Sequence, residues 1–427
     1  MADLLLEKMF LENDRWTEAI KHANDKGICK TQLQELCEPS VRAKLYLQIK
    51  NGEYHIEPPR TAQIPKDNGE FRTVYICSDI DRIFLNLVNN LLFDLCSDMV
   101  HKSCKSYQRG IGTGKVVKEV VKTVLSEPTV EVGYKTDLSK YFDTPRIELI
   151  DEVFDKVEQK VGKSVIIDIV REFYHDNRFY TDGVLHEEYK SIKQGTATSS
   201  FLSDALLYDV DKEISEMDTF YVRYSDDCLI LGREWKRAFE VLAERLKAKG
   251  LGLNPKKVEV LRKDKFFKFL GFSIRGDKIS ISKGRLETFK KEIQKRTVKK
   301  YLFSQNYTAA LNAVHRYLYK GEYSWASSVL PIFNIEEDID KMNAFVMDML
   351  RAVKTGRYNK KFGIGYEPDK KVKGKGLRNG VVTYHPIGSA GTNRNEIETL
   401  DGYMSLGRMR KALLTSHQAY DTLVRCI

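Results

Sequence analysis

Apolar residues recur at steps of three and four through residues 1 to about 55 (Leu4, Leu5, Met9, Phe10, then Leu33, Leu36, Val41, Leu45), which predicts helices. From Glu57 to Ile76 that period is lost. Pro58-Pro59 and Pro65 punctuate the stretch and Asp67-Asn68-Gly69 is a hairpin turn signal, so two short strands are expected around a turn. Helical spacing returns over 79–99 (Ile83, Leu87, Leu91, Leu95). Val130 to Asp137 alternates as a strand that ends on an acid; a helical region over about 145–175 follows, then a strong helix candidate over 194–213. Thr219-Phe220-Tyr221-Val222 and Cys228-Leu229-Ile230-Leu231 flank Tyr224-Ser225-Asp226-Asp227, a pattern of strand, tight turn and strand. Beyond it the chain predicts a helix over 234–249, a turn at Gly250-Leu251-Gly252-Leu253-Asn254 and a strand at 257–261. Two short strands between Phe266 and Ile281 turn at Gly276-Asp277, and helices run from about 284 to 353 and again over 398–427. The basic, glycine-bearing stretch 354–378 reads as a loop or linker, and there is no internal repeat.

The chemistry concentrates in the predicted hairpin. Two adjacent carboxylates at an apolar turn repel, and one of them gains a raised pKa unless a cation sits between them. A hard divalent metal prefers such oxygen ligands. Asp137, at the end of its own strand, supplies a third carboxylate. Strand tips that bring three such groups to one point suit a pair of Mg2+ ions about 3.5–4 Å apart, which activate a hydroxyl and stabilise a leaving phosphate. In-line phosphoryl transfer needs little beyond positioning and charge neutralisation. In or beside the first hairpin lie Arg60, Lys66 and Arg72, whose point charge and planar forks suit phosphate oxygens.

Composition narrows the setting. The chain has 427 residues, 42% of them apolar, which excludes a disordered or fibrous protein. Its 70 Lys and Arg outweigh 60 Asp and Glu, for a net charge of +10 that favours a polyanionic partner. Seven cysteines, none at C-x-x-C spacing, argue against a disulfide framework or zinc knuckle and for a reducing cytosol. The histidines are scattered away from metal-ligand spacing. Charge interrupts the N-terminus before a signal-peptide core forms, and no apolar run is long enough to span a bilayer, so the expectation is a soluble cytoplasmic protein.

Taken in order, Asp137-Leu-Ser-Lys-Tyr-Phe-Asp143, Gln194-Gly195, Tyr224-Ser-Asp-Asp227, Gly250-Leu-Gly-Leu-Asn254 and Phe269-Leu-Gly-Phe272 resemble the palm motifs of reverse transcriptases. Arg60, Ile64-Pro65-Lys66, Phe71-Arg72 and Asp81-Arg82-Ile83 resemble the fingers motifs, and Ser106-Tyr-Gln-Arg-Gly110 the loop that precedes the palm in bacterial members. The resemblance covers about 56–275. It implies an α+β right-hand polymerase fold: a helical N-terminal extension (1–55), fingers (56–130) and a palm with an antiparallel sheet (131–283, with a finger-like helical insert at about 145–190). A helical thumb (284–353) and a basic linker with a C-terminal helical segment (354–427) follow. It implies Asp137 and Asp226 as ligands of two Mg2+ ions, with Asp227 completing the acidic cluster. Lys66 and Arg72 would grip the triphosphate. Phe142 would stack under the incoming sugar and exclude a 2′-hydroxyl, selecting dNTPs, and Gln194-Gly195 would pack against the nascent base pair. Lys257, with Lys256 as its competitor, would lie near the leaving pyrophosphate. Tyr224, Phe269, Leu270 and Gly271 would meet primer and template. Glycine at 195 permits close backbone approach, and Thr196, Thr198 and Ser199 are placed to cap the helix that follows. The family pattern has prolines near 197 and 200, where this chain has Ala197 and Ser200.

Among reverse transcriptases, the compact chain with its altered Gln-Gly motif resembles the bacterial defence-associated class, of unknown-group or abortive-infection type. Within that class the closest expectation is a type 2 system that copies a structured non-coding RNA into cDNA in antiphage defence. After the thumb there is no zinc-binding endonuclease module, no second acidic cluster of RNase H type and no integrase signature. A retron or group II intron enzyme, a template-independent polymerase and a catalytically silent RNA-binding scaffold stay open as alternatives, as do the priming mode and oligomeric state.

Overall fold

A computed structural model describes residues 3–25, 35, 38–65, 70–321, 324–358 and 403–415. They fall into two compact units, residues 1–111 with 131–261 and residues 112–130 with 262–427.

The first unit opens with helices α1 (Leu4–Leu11), α2 (Asn13–Asp25) and α3 (Pro39–Lys50). Strands β1 (Arg60–Pro65) and β2 (Phe71–Ile76) lead to α4 (Asp79–Leu95), while α5 (Thr113–Ser126) belongs to the second unit. Then come β3 (Glu131–Asp137), α6 (Ile147–Val161), α7 (Val165–His175), the hairpin β4 (Arg178–Thr181) and β5 (Val184–Glu187), α8 (Ser199–Ala205) and α9 (Tyr208–Ser215). Strands β6 (Phe220–Tyr224) and β7 (Asp227–Leu231), α10 (Trp235–Ala248) and β8 (Glu259–Arg262) complete the series.

These strands form two four-stranded sheets, β2-β1-β4-β5 and β6-β7-β3-β8. In the second, β7 lies between β3 and β6, antiparallel to both, and Cys228 to Leu231 are buried throughout. A continuous apolar run is what a central strand needs when both faces are covered. Helix α10 covers β3 and β7, with Tyr134 of β3 meeting Trp235 and Phe239 at ring distances of 4.5 and 4.4 Å. The N-terminal helices are tied in by polar bonds: Asp3 caps α1 at Leu6 and also accepts from Ser164 Oγ (2.7 Å) and Val165 N–H (2.9 Å) at the start of α7.

Beneath the β6–β7 turn lies a fully buried ion pair. Arg223 and Asp211 are both 0% exposed, and the guanidinium meets the carboxylate through Nε (2.9 Å) and Nη2 (2.6 Å). Nη1 donates to the Ser203 carbonyl (3.1 Å) and Nη2 to that of Asp204 (2.8 Å), while the Tyr141 hydroxyl also donates to Ser203 (2.6 Å). This explains one departure from the expected elements. The helix over 194–213 begins only at Ser199 and breaks between α8 and α9, because the carbonyls at that break bond to Arg223 and Tyr141 rather than continuing one helical ladder.

Two elements were not anticipated. The β4–β5 hairpin interrupts the expected helical insert; it turns on Asp182-Gly183, with φ of 50° and 81°, the pair of positive values that a type I′ turn requires. Helix α5 buries Val116, Val120 and Val124 at four-residue steps.

In the second unit, β9 (Phe267–Phe269), β10 (Phe272–Arg275) and β11 (Lys278–Ile281) form a three-stranded antiparallel meander, one strand more than expected. Helices α11 (Lys283–Arg296), α12 (Val298–Tyr301), α13 (Tyr307–Tyr319), α14 (Trp325–Ser328), α15 (Glu336–Thr355) and α16 (Leu406–Thr415) follow. Asn343 of α15 accepts from Tyr403 Oη (2.9 Å) and Leu406 N–H (3.2 Å), anchoring the start of α16. The expected basic stretch lies outside the described residues from 359 onward, as do Leu33 and Leu36. No helix among the described residues is long and apolar enough to cross a membrane.

Removing one partner of a buried pair leaves the other charge uncompensated. Arg223→Met is therefore expected to lower the unfolding free energy by about 3–5 kcal/mol. Denaturant titration checks this, and a midpoint equal to wild type would contradict it.

Candidate active site at the paired aspartates

The backbone sets the acids in place before side-chain chemistry enters. Asp137 ends β3 and Asp227 opens β7, and the two are direct partners in the antiparallel register. Asp226 sits in the turn before it, and the Leu138 N–H donates to the Asp226 carbonyl at 2.9 Å. The turn needs Ser225 at φ 57°, a left-handed conformation that a non-glycine residue adopts only when held. It is held twice. The Ser225 N–H donates to Ser106 Oγ (3.0 Å), which in turn donates to the buried Asp204 carboxylate (2.6 Å), and Arg223 Nη1 donates to the Ser225 carbonyl (3.3 Å).

The acids pay electrostatically for this proximity. Burial, followed by the negative charges of Asp137 and Asp227, pushes the Asp226 pKa up to about 6. Burial also raises that of Asp227, with Asp137 adding to the rise and Lys135 and Lys257 opposing it. Lys257 is the resident counter-charge, with Nζ 2.6 Å from Asp137 Oδ2. Burial pulls the lysine's pKa down, but the hydrogen bond and charge of Asp137 outweigh it and hold it above the usual value. The loop that delivers Lys257 is fastened to the same strand: the Asn254 N–H donates to the Asp137 carbonyl (2.8 Å) and the Ser139 N–H to that of Gly252 (2.8 Å). Asn254 Oδ1 accepts from the Lys256 N–H (3.2 Å), which fixes the short turn so that Lys257, and not the exposed Lys256, reaches the acid.

No group of three or more His, Cys, Asp or Glu side chains among the described residues is arranged to hold a metal ion as it stands. The three acids adjoin in the backbone without closing into a ligand set, and Lys257 takes an oxygen of Asp137. The donor chemistry nonetheless fits a hard divalent cation: clustered carboxylates whose affinity for protons is raised partly by one another.

The other expected residues are distributed as follows. Phe142 is buried five residues beyond Asp137, and its carbonyl accepts from the Ile192 N–H (3.0 Å), tying the exit of β3 to the segment that carries Gln194. Gln194 and Gly195 lie against β2: the Tyr75 N–H donates to the Gln194 carbonyl (2.8 Å), and a Cβ on Gly195 would stand 3.1 Å from the Tyr75 oxygen. Arg72 is exposed on the same strand, three residues from Tyr75. Lys66 lies outside the described residues. Tyr224, half-buried, is the β6 partner of Asp227. Phe269, Leu270 and Gly271 belong to the second unit, where Leu270 and Gly271 (φ 48° and 79°) turn β9 into β10. The expected helix caps did not form. Thr198 stands at the start of α8 without capping it; its hydroxyl lies 2.8 Å from Tyr174 Oη, while Thr196 and Ser199 donate to carbonyls of the loop.

Sequence reasoning missed Arg223, Asp204, Asp211 and Lys193. The signal for Arg223 was present, because a lone arginine interrupts an otherwise apolar and aromatic strand. Such a residue is buried only with a partner.

Residues 64–274 match the family described as reverse transcriptase (RNA-dependent DNA polymerase). The match takes in just under half of the chain, and it goes with an α+β polymerase fold. No curated protein matches it. Solved structures similar to it include apo telomerase from Candida tropicalis truncated from its C-terminal domain (16% identity, TM-score 0.41, covering 55% of this chain and 58% of that one). Another is telomerase from Candida albicans in complex with a TWJ fragment of telomeric RNA (12% identity, TM-score 0.45, covering 72% and 55%). The chain thus spans less than two thirds of the length of either telomerase.

Gly195 lies at φ 108° with β2 in contact. Gly195→Ala is expected to cost about 1–3 kcal/mol of stability through backbone strain. Urea unfolding checks this; a neutral effect would show that the loop relaxes freely.

Proposed function

We propose that the enzyme extends a primer with dNTPs by in-line nucleotidyl transfer at Asp137, Asp226 and Asp227. The observation that carries this reading is the register pairing of Asp137 with Asp227, beside a neighbour, Asp226, whose proton affinity is raised by burial and by both. Two Mg2+ ions held by these carboxylates would supply activation of the primer hydroxyl and neutralise charge on the leaving pyrophosphate. With a cation held there, Asp137 would no longer need the Lys257 ammonium as its counter-charge, and Lys257 would be free to meet the leaving phosphate. Arg72 and Lys66 bind the triphosphate. The buried Phe142 ring forms a rigid floor beneath the sugar and leaves no room for a 2′-hydroxyl. Gln194 and Gly195 pack on the nascent base pair, and Tyr224, Phe269, Leu270 and Gly271 face primer and template. In this reading the N-terminal extension (1–55) and most of the fingers (56–130) and palm (131–283) lie in the first compact unit, while the second carries the thumb (284–353) together with 112–130 of the fingers and 262–283 of the palm.

The template is an RNA, and the net charge of +10 supports a polyanionic partner bound largely through its phosphates. The motif resemblance favours a cytoplasmic, defence-associated enzyme that copies a structured non-coding RNA. Sequencing the RNA and DNA that co-purify with the protein tests this; a heterogeneous RNA population without a recurrent template would overturn it.

The double variant Asp226→Ala/Asp227→Ala is expected to lose incorporation entirely while keeping its fold and RNA affinity, as read by primer extension, circular dichroism and filter binding. Retained polymerisation would remove the assignment. Phe142→Ala is expected to admit ribonucleotides. Parallel dNTP and rNTP extension measures this, and an unchanged preference places the sugar gate elsewhere.

A further inference from the structure

The segment between β5 and α8 has almost no regular structure of its own, only a bridge between Gln194 and Thr196. Yet it holds two residues at positive φ, Lys193 at 44° and Gly195 at 108°. A loop in such a conformation stays there only if its surroundings fix it.

What fixes it is a buried ammonium. Lys193 is 2% exposed and forms no ion pair among the described residues. Its Nζ donates to the carbonyls of Phe173 (2.9 Å) and Tyr174 (3.3 Å), in the last turn of α7. It lies 4.9 and 5.4 Å from the centroids of the same two rings. The last carbonyls of a helix lack intrahelical partners and carry the negative end of its dipole, so a cation is well matched to them. Burial pulls the lysine's pKa down to about 8, which leaves it mostly charged at neutral pH.

Tyr174 closes the circuit. Its hydroxyl stands 2.8 Å from Thr198 Oγ1 and 3.4 Å from Thr196 Oγ1, and Thr196 donates to the Lys193 carbonyl through its own hydroxyl (3.1 Å). On the other side the Gln194 carbonyl accepts from Tyr75 of β2. A methionine or leucine would fill the same apolar space without the cost of burying a charge. The ammonium contributes what they lack, directed bonds that set the rotation of the next two residues.

We propose that Lys193 is a positioning residue for the polymerase reaction: clamped on the end of α7, it holds residues 193–198 in the conformation that presents Gln194 and Gly195 to the incoming nucleotide. It touches no substrate itself. The inference rests on the reading that Gln194 and Gly195 face the nascent base pair.

The test is steady-state extension of a DNA primer on an RNA template by the full chain, comparing wild type with Lys193→Met and Tyr174→Phe. For a folded Lys193→Met the KM for dNTP is expected to rise about tenfold with kcat changed less than about threefold, since the lost geometry acts on nucleotide placement. Tyr174→Phe, which deletes only the hydroxyl, shifts KM the same way by less. An unchanged KM in folded Lys193→Met overturns the proposal, as does a fall in kcat alone that tracks the folded fraction. If Lys193→Met fails to fold by circular dichroism, the KM and kcat of Tyr174→Phe decide by the same criterion. A wild-type chain that incorporates no dNTP removes the polymerase reading itself, a result separate from either outcome.

Discussion

Every hydrogen-bonding group of the Arg223 guanidinium finds a partner without any contact with solvent, and the turn that carries Asp226 is built on that fact. Nε and Nη2 grip Asp211, Nη1 bridges the carbonyls of Ser203 and Ser225, and Nη2 also reaches that of Asp204. One side chain thus joins the hairpin tip to the break between two helices and to a buried acid. Burying an arginine is costly unless its geometry is fully met, and here it is. The return is a turn that does not yield when two carboxylates are forced side by side above it.

The site therefore contains two kinds of charge pair a few residues apart. Arg223 with Asp211 is closed: both members are buried and neither has anything left to offer a ligand. Asp226 and Asp227 are open: burial raises the proton affinity of both, and no arginine fork among the described residues answers them. Lys257 meets Asp137 through one flexible, half-exposed side chain. A lysine is a point charge that can leave; an arginine locked by its several donors cannot. The rigid pair keeps the acids in register, and the loose pair keeps them available.

Much of this was legible in the chain. Apolar stretches on both sides of Tyr224-Ser225-Asp226-Asp227 leave few alternatives to a hairpin, and the alternation that ends at Asp137 marks a strand. The choice between Lys256 and Lys257 was not legible, because it depends on Asn254 fixing the turn before them. The hairpin at 178–187 carried a plain Asp182-Gly183 turn signal, but its strands have only four residues each and β5 is exposed throughout, so no alternation marks them. Helix α5 is rich in valine, a residue of low helix propensity, and it forms through the burial of one face. The break in 194–213 lies furthest from local pattern, since it follows from a guanidinium on a strand that comes later in the chain.

The same separation of local and tertiary causes bears on the Gln194-Gly195 segment. A proline stiffens a loop locally, by restricting φ in the folded and unfolded states alike. With Ala197 and Ser200 this chain has no such restriction there. Its loop is stiff only in the folded protein, through the Lys193 ammonium and the Tyr174 hydroxyl acting on atoms from another helix. Covalent stiffness persists when a neighbouring helix shifts, whereas stiffness borrowed from the end of α7 is shared with it. Any displacement of that helix end, as by the β4–β5 hairpin that follows it, is therefore transmitted to Gln194 and Gly195. A proline-braced loop would not report it.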